Sequence, residues 1–246
     1  LPPFEGKQRV FIIENAELLS IEAANCLLKI LEEPPERVTF LLLTVNERLL
    51  LETIISRCQR LELHPVPAAV ITAALVANYG VEKEKADLLG RLAHGRPGWA
   101  IEAAGDAKVL EKREEELETM LEILHSGQSP RLEWSAGVAA GFSHDRRQVY
   151  RLLESWIDYW RDMMLVKLGC RDMITNSDRE KEIVALAGNF SLPVIRECID
   201  DIEAAGRRLR QNANPRLALD VLMIDLPVIK GGKAGKRVNR MPVEYG

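Results

Sequence analysis

The sequence predicts a short parallel α/β layer followed by a remainder that is mostly α. Three observations carry this. Two strongly apolar runs, around Val10 to Ile13 and Phe40 to Leu43, flank an amphipathic segment within the first 65 residues. No convincing strand pattern follows Pro65-Val66-Pro67. From Ala68 onward apolar residues recur at three and four instead. The chain has 246 residues, 47% of them hydrophobic, which suffices for two or three small domains with real cores.

Arg9 to Ile13 is an apolar run suited to a strand covered on both faces of a parallel sheet. Ser20 is placed to cap the next helix, with Glu22 in its first turn, where the helix dipole favours an acid. Ala23, Ala24, Leu27, Leu28 and Leu31 form one apolar face of that helix, and Pro34-Pro35 ends it. Thr39 to Thr44 is expected to be the second strand, Leu49 to Ile55 a short helix, and Gln59 to His64 a third strand that alternates Leu61 and Leu63 with polar neighbours. Helices are then expected at 68–78 and 83–93, with Gly80 and Gly95 in left-handed caps, and Gly95 to Ala100 starts another short one, with Pro97 near its first turn. Longer amphipathic helices follow at roughly 107–125, 130–141, 145–169, 178–188, 192–211 and 215–226. The segment Lys230 to Arg237, rich in Gly and Lys, is expected to be disordered.

Net charge is −4, which argues against a general polyanion binder, because such proteins carry a basic footprint. Cys26, Cys58, Cys170 and Cys198 lie far apart, with no pair at zinc spacing. They read as reduced, mostly buried thiols, which suits a cytoplasmic chain. No apolar run is long enough to span a membrane, and Leu1-Pro2-Pro3-Phe4-Glu5 has no signal-peptide pattern. His64, His94, His125 and His144 show no ligand spacing. Trp156, Tyr159 and Trp160 fall on one helix at packing intervals, ahead of any base-stacking role. The run Glu111 to Glu116 reads as a solvated helix face.

Two stretches carry more than pattern. Ala23-Ala24-Asn25-Cys26-Leu27-Leu28-Lys29-Ile30-Leu31-Glu32-Glu33-Pro34-Pro35 leads into the strand near Phe40, and Ile54-Ile55-Ser56-Arg57-Cys58-Gln59-Arg60 follows it. Together they resemble the clamp-loader branch of the AAA+ ATPases, and within it the delta prime family of bacterial DNA polymerase III. The resemblance is strong over 9–64 and continues in pattern to about 226. It implies a partial, truncated AAA+ core over 1–66, a helical lid over 67–106, a helical collar for oligomerisation over 107–229, and a flexible basic tail over 230–246. The expected partners are gamma/tau-type ATPase subunits, delta-type subunits, the sliding clamp and, through the complex, primed DNA.

No glycine-rich phosphate loop ending in Lys-Ser or Lys-Thr occurs in the sequence, so nothing in it offers the backbone cradle and lysine that hold nucleotide phosphates. The chain is accordingly expected to be a piece trimmed of an N-terminal part, which in the delta prime family usually carries a zinc module. Glu14-Asn15 stands where active members of the family carry an Asp-Glu pair for magnesium. Thr44 matches a position that senses the γ-phosphate, and Gly98 stands where hydrolysing members carry a second sensing arginine. These departures imply a subunit that does not hydrolyse ATP itself and needs no cofactor. In isolation Glu14 reads as a strand-end acid satisfied by water or backbone, and Thr44 as an ordinary strand-end residue.

Arg57 escapes that degeneracy, because its role in the family lies outside its own subunit. As an arginine finger in trans it would stabilise the charge on a neighbour's γ-phosphate, with Ser56 and Cys58 as motif neighbours that shape the turn and fill space. Read without the family, Arg57 caps helix carbonyls or pairs with a nearby acid. Arg207-Arg208-Leu209-Arg210, ahead of Asn212-Ala213-Asn214-Pro215-Arg216, either faces a neighbour's acids or DNA or complements its own helix dipole. Two rival functions remain: a subunit that hydrolyses ATP once a longer N-terminus is included, and a helical scaffold or DNA-binding module unrelated to replication.

Overall fold

A computed structural model describes residues 8–230 and 233–234. The chain forms two compact units, Leu1–His64 and Pro65–Gly246.

In the first unit, β1 (Arg9–Ile13), α1 (Ile21–Glu32), β2 (Val38–Leu42) and α2 (Glu52–Ile55) follow one another. The strands pair in parallel, in register from Arg9 with Val38 to Ile13 with Leu42. Parallel pairing needs a crossover, which α1 supplies. Ser20 caps α1, its hydroxyl accepting from the Ala23 amide at 3.2 Å. Phe11 and Phe40 stack across the pair with ring centroids 5.1 Å apart. Short helical turns at Ala16–Leu18 and Glu47–Leu49 complete the unit.

Three expectations change here. The second strand ends at Leu42, so Leu43 and Thr44 leave it. The helix expected over 49–55 is split, because Leu50 and Leu51 are extended between the turn at 47–49 and α2. Residues 59–64 form no strand: Leu61 and Leu63 are 83% and 84% exposed. A strand exists only against a partner, and alternation alone supplies none.

In the second unit, α3 (Ala68–Tyr79), α4 (Lys83–Leu92) and α5 (Pro97–Gly105) close around Ile71, Leu75, Ala86, Leu89, Ala100 and Ala103. Gly80 and Gly95 both have positive φ, and at Gly95 a side chain would also collide with Pro65. Glycine is the residue that meets both demands. The remaining helices are α6 (Ala107–His125), α7 (Gln128–Gly141), α8 (Arg146–Lys167), α9 (Glu180–Ala187), α10 (Leu192–Arg210) and α11 (Pro215–Asp225). Their shared core is centred on Trp156, Tyr159 and Trp160, all fully buried, so the aromatic trio packs as its spacing predicts. Asn214 caps α11 by accepting from the Leu217 amide at 3.1 Å.

Other expectations are corrected in this unit. Arg113, read as part of a solvated run, is only 8% exposed and donates to Asn176 and Asp178. It lies on the same helical stripe as Leu110, Leu117 and Met120, so its stem packs inward and its head meets the loop before α9. Of the cysteines, only Cys198 is buried; Cys26 is exposed and Cys58 and Cys170 are intermediate. The start of the expected basic tail is ordered as two paired short strands, β3 (Ile229–Lys230) and β4 (Lys233–Ala234). The rest of that tail, 231–232 and 235–246, lies outside the described residues. Among the described residues no helix is long and apolar enough to cross a membrane.

Candidate functional site

The motif residues of the first unit separate into two groups. Because β1 and β2 are parallel, the residues after each strand emerge at the same, C-terminal edge, where α/β layers place their ligand sites. Glu14 and Asn15 follow β1 there, and Thr44 lies two residues beyond β2. Backbone bonds tie this edge together: the Leu43 amide donates to the Ile13 carbonyl at 2.8 Å and the Ala16 amide to the Leu43 carbonyl at 2.9 Å. Asn15 adopts a left-handed conformation, φ 53°, that turns the chain into the helical turn at 16–18. The Thr44 hydroxyl accepts from the Asn46 amide at 3.1 Å, an ordinary local turn bond. Glu14 is exposed.

Arg57 stands with the second group. It follows α2, and its guanidinium meets the last residue of α1: Nε and Nη2 donate to Glu32 Oε1 at 2.8 and 2.5 Å. Nη1 donates to the Thr53 carbonyl at 2.9 Å and to the Ser56 hydroxyl at 3.3 Å. Ser56 itself donates to the Thr53 carbonyl at 3.2 Å, which closes the end of α2. Both readings that the sequence offers without a family, a helix-carbonyl cap and an acid partner, are therefore present in the structure. The side chains remain accessible, 32% exposed for Arg57 and 50% for Glu32.

Glu14 and Asn15 lead into the N-terminal end of α1, whereas Arg57 is held at its C-terminal end. A twelve-residue helix is about 18 Å long, so the guanidinium sits well away from the edge formed by Glu14 and Thr44. Cys58 is half-buried, and burial pushes its thiol up, away from the thiolate that a nucleophile requires. Gly98 belongs to the second unit, in the first turn of α5, where a β-carbon would meet open space. Glycine there reflects no steric need.

Glu32 was not among the residues singled out from the sequence, although a signal for it exists. A carboxylate in the last turn of a helix opposes the dipole, and such an acid calls for a cationic partner. The basic residues before α11 are likewise engaged within their own unit: Arg207 pairs with Glu203 at 3.2 Å, and the Arg210 guanidinium lies over the Tyr150 ring at 5.7 Å. Arg216 pairs with Asp220 at 2.8 Å.

Residues 1–67 match the model described as DNA polymerase III, delta subunit, and residues 110–227 match DNA polymerase III, delta subunit, C terminal. The chain is 26% identical over 222 residues to DNA polymerase III subunit delta' of Bacillus subtilis, covering 90% of this chain and 67% of that protein. It is 25% identical over 256 residues to subunit tau of the same organism, covering 89% of this chain and 42% of the relative. A shorter match, 46% over 61 residues, is to subunit tau of Escherichia coli, 25% of this chain and 10% of that protein. The chain thus spans two thirds of the first of these relatives and less than half of the other two. The two family models together cover most of the chain, which belongs to the DNA polymerase III clamp-loader family of delta-, delta'- and tau-type subunits.

Proposed function

We propose that this chain is a clamp-loader subunit that does not hydrolyse ATP and supplies Arg57 in trans to a nucleotide held by a neighbouring ATPase subunit. The observation that carries the reading is the placement of Arg57: accessible, at a helix end, and at the opposite end of α1 from the Glu14 and Thr44 edge. A guanidinium so placed serves a site other than its own. Its planar fork fits phosphate oxygens, and a finger supplied in trans is worth about 10³ to 10⁵ in rate. Glu14-Asn15 provides no acidic pair, and Gly98 no sensing charge. The family resemblance extends the proposal to the whole architecture, with a half-core over 1–66, a lid over 67–106 and a collar over 107–229. Gamma/tau-type and delta-type subunits would be the partners in the ring, acting together on the sliding clamp and primed DNA.

The test is Arg57→Ala in the reconstituted complex. Fold and assembly should hold, because an exposed arginine contributes within about 0.5 kcal/mol to stability. Clamp- and DNA-stimulated ATP hydrolysis should fall, most at the site facing this subunit, with clamp loading falling alongside. Arg57→Lys should rescue poorly, since an ammonium lacks the fork. Unchanged hydrolysis and loading in an intact complex would refute the reading. The similarity to tau, almost equal in identity to that with delta', favours a second reading in which a longer N-terminus restores a phosphate loop and the subunit hydrolyses ATP itself. Titration of the full-length protein with ATP and magnesium separates the two, because micromolar affinity belongs only to the second.

A further inference from the structure

Arg57 has five N–H donors, and the structure accounts for four. Two go from the Nη1 side to the Thr53 carbonyl and the Ser56 hydroxyl. The other two, from Nε and Nη2, converge on the single oxygen Oε1 of Glu32. The Nε and Nη2 edge is one of the two-donor edges with which a guanidinium grips a phosphate. One N–H remains, too few for a two-point contact.

We propose that Glu32 is a latch on Arg57, a positioning residue that occupies this edge and must release it before the arginine can reach a neighbour's nucleotide. The inference rests on the reading of Arg57 as a finger in trans. Three features suit a latch better than a permanent brace. Both bonds fall on one carboxylate oxygen, not on two in a parallel fork, so the pair lacks the strongest geometry open to it. Both partners are accessible to water, which keeps the pair weak and its opening fast. Glu32 also ends α1, where the helix dipole opposes its charge, so Arg57 relieves an unfavourable position and a phosphate that captures Arg57 must leave Glu32 to solvent. The latch therefore sets a threshold that an approaching, more highly charged phosphate can exceed.

Full-length subunit carrying Glu32→Gln, Arg57→Ala or both is assembled with its ATPase partners, and hydrolysis is measured with and without clamp and primed DNA. Glu32→Gln keeps the side chain's shape and removes its charge. A latch predicts that unstimulated kcat rises about two- to fivefold, the range corresponding to a half-exposed ion pair. KM for ATP should not move, since Glu32 does not touch the nucleotide, and the stimulation by clamp and DNA should shrink. Glu32→Asp, charged but shorter, should fall between wild type and Glu32→Gln. In the Arg57→Ala background Glu32→Gln should do nothing, which a merely structural role would not predict. If Arg57→Ala lowers hydrolysis while Glu32→Gln leaves it unchanged or lowers it, the latch is wrong and the finger stands. If Arg57→Ala has no effect, both fall.

Discussion

The two units of this chain divide recognisability from burial. Residues 1–64 hold the motifs that resemble a family most strongly, yet among the described residues only Ala16, Ala24 and Ile54 are buried hydrophobics there. Within this chain Val10, Phe11, Ile12 and Leu41 of the two strands are exposed, unlike the strand covered on both faces that their apolar runs predict. Beyond residue 64 no such short motif occurs, but the described residues there enclose two cores and bury two tryptophans and a tyrosine completely. Motif residues are identifiable through their chemistry and spacing. Core residues need only be apolar and of fitting volume, so many sequences satisfy the same packing.

The contrast predicts a large asymmetry in stability. Trp156→Ala removes a fully buried indole that also donates to the Glu116 carbonyl at 3.1 Å, and should cost about 3–5 kcal/mol. Phe11→Ala removes a ring already 42% exposed and should cost about 1 kcal/mol. Hydrogen exchange under denaturant, resolved by residue, reports each unit separately. Equal losses would break the comparison and mean that the first unit is held together by more than its visible burial.

A smaller effect is expected at Arg131, which is 2% exposed and donates to four carbonyls: Ile123 at 2.8 Å, Met223 at 3.0 Å, Leu226 at 2.6 Å and Pro227 at 2.6 Å. From the start of α7 it closes the C-terminal end of α6, where Ile123 also accepts from the Ser126 amide at 3.1 Å, and the end of α11 with the two residues after it, where helical amides run out. Arg131→Met keeps an apolar stem but removes the donor that the Met223, Leu226 and Pro227 carbonyls share, and should cost about 3 kcal/mol in a denaturant melt. Arg131→Lys should recover only part of the loss, because three donors on one atom cannot span four carbonyls. A neutral Arg131→Met would show that water reaches these helix ends.

How much was legible follows from the same physics. Ser20, Pro34-Pro35, Asn214 and the glycines at 80 and 95 act through their own backbone and nearest neighbours, and the elements they bound stand where the sequence places them. Leu61 and Leu63 fail because a strand depends on a partner that lies elsewhere in sequence. Arg113 and Arg131 were hidden by their type, since a charged residue is expected outside until its acceptors are known. At the candidate site the turn around Ser56 was readable, whereas the bond from Arg57 to Glu32 spans 25 residues and becomes visible only when α1 and α2 are folded together.

The smallest expected effect tests whether burial also governs the charges of the second unit. Asp162 on α8 is fully buried and accepts from the Thr175 amide at 2.8 Å and from the Asn176 amide and side-chain nitrogen at 2.7 Å each. Burial pushes its carboxyl above the ordinary value, and the three hydrogen bonds only partly oppose that rise. A raised folded-state value means that the native protein binds the proton more readily than the unfolded chain does. Stability from this group therefore increases as pH falls through the raised native value toward the ordinary carboxylate range, and its charged form is a net cost near neutrality. Asp162→Asn does not titrate, and it turns an amide donor toward backbone donors, so it should be less stable than wild type throughout. The gap should widen as the pH is lowered from 7 toward 4, because wild type alone gains by protonation. Denaturant midpoints of the two proteins across that range measure it. A gap that narrows on acidification would show that the hydrogen bonds to Thr175 and Asn176 outweigh the loss of water, and that in this core partners, not burial, set the charge.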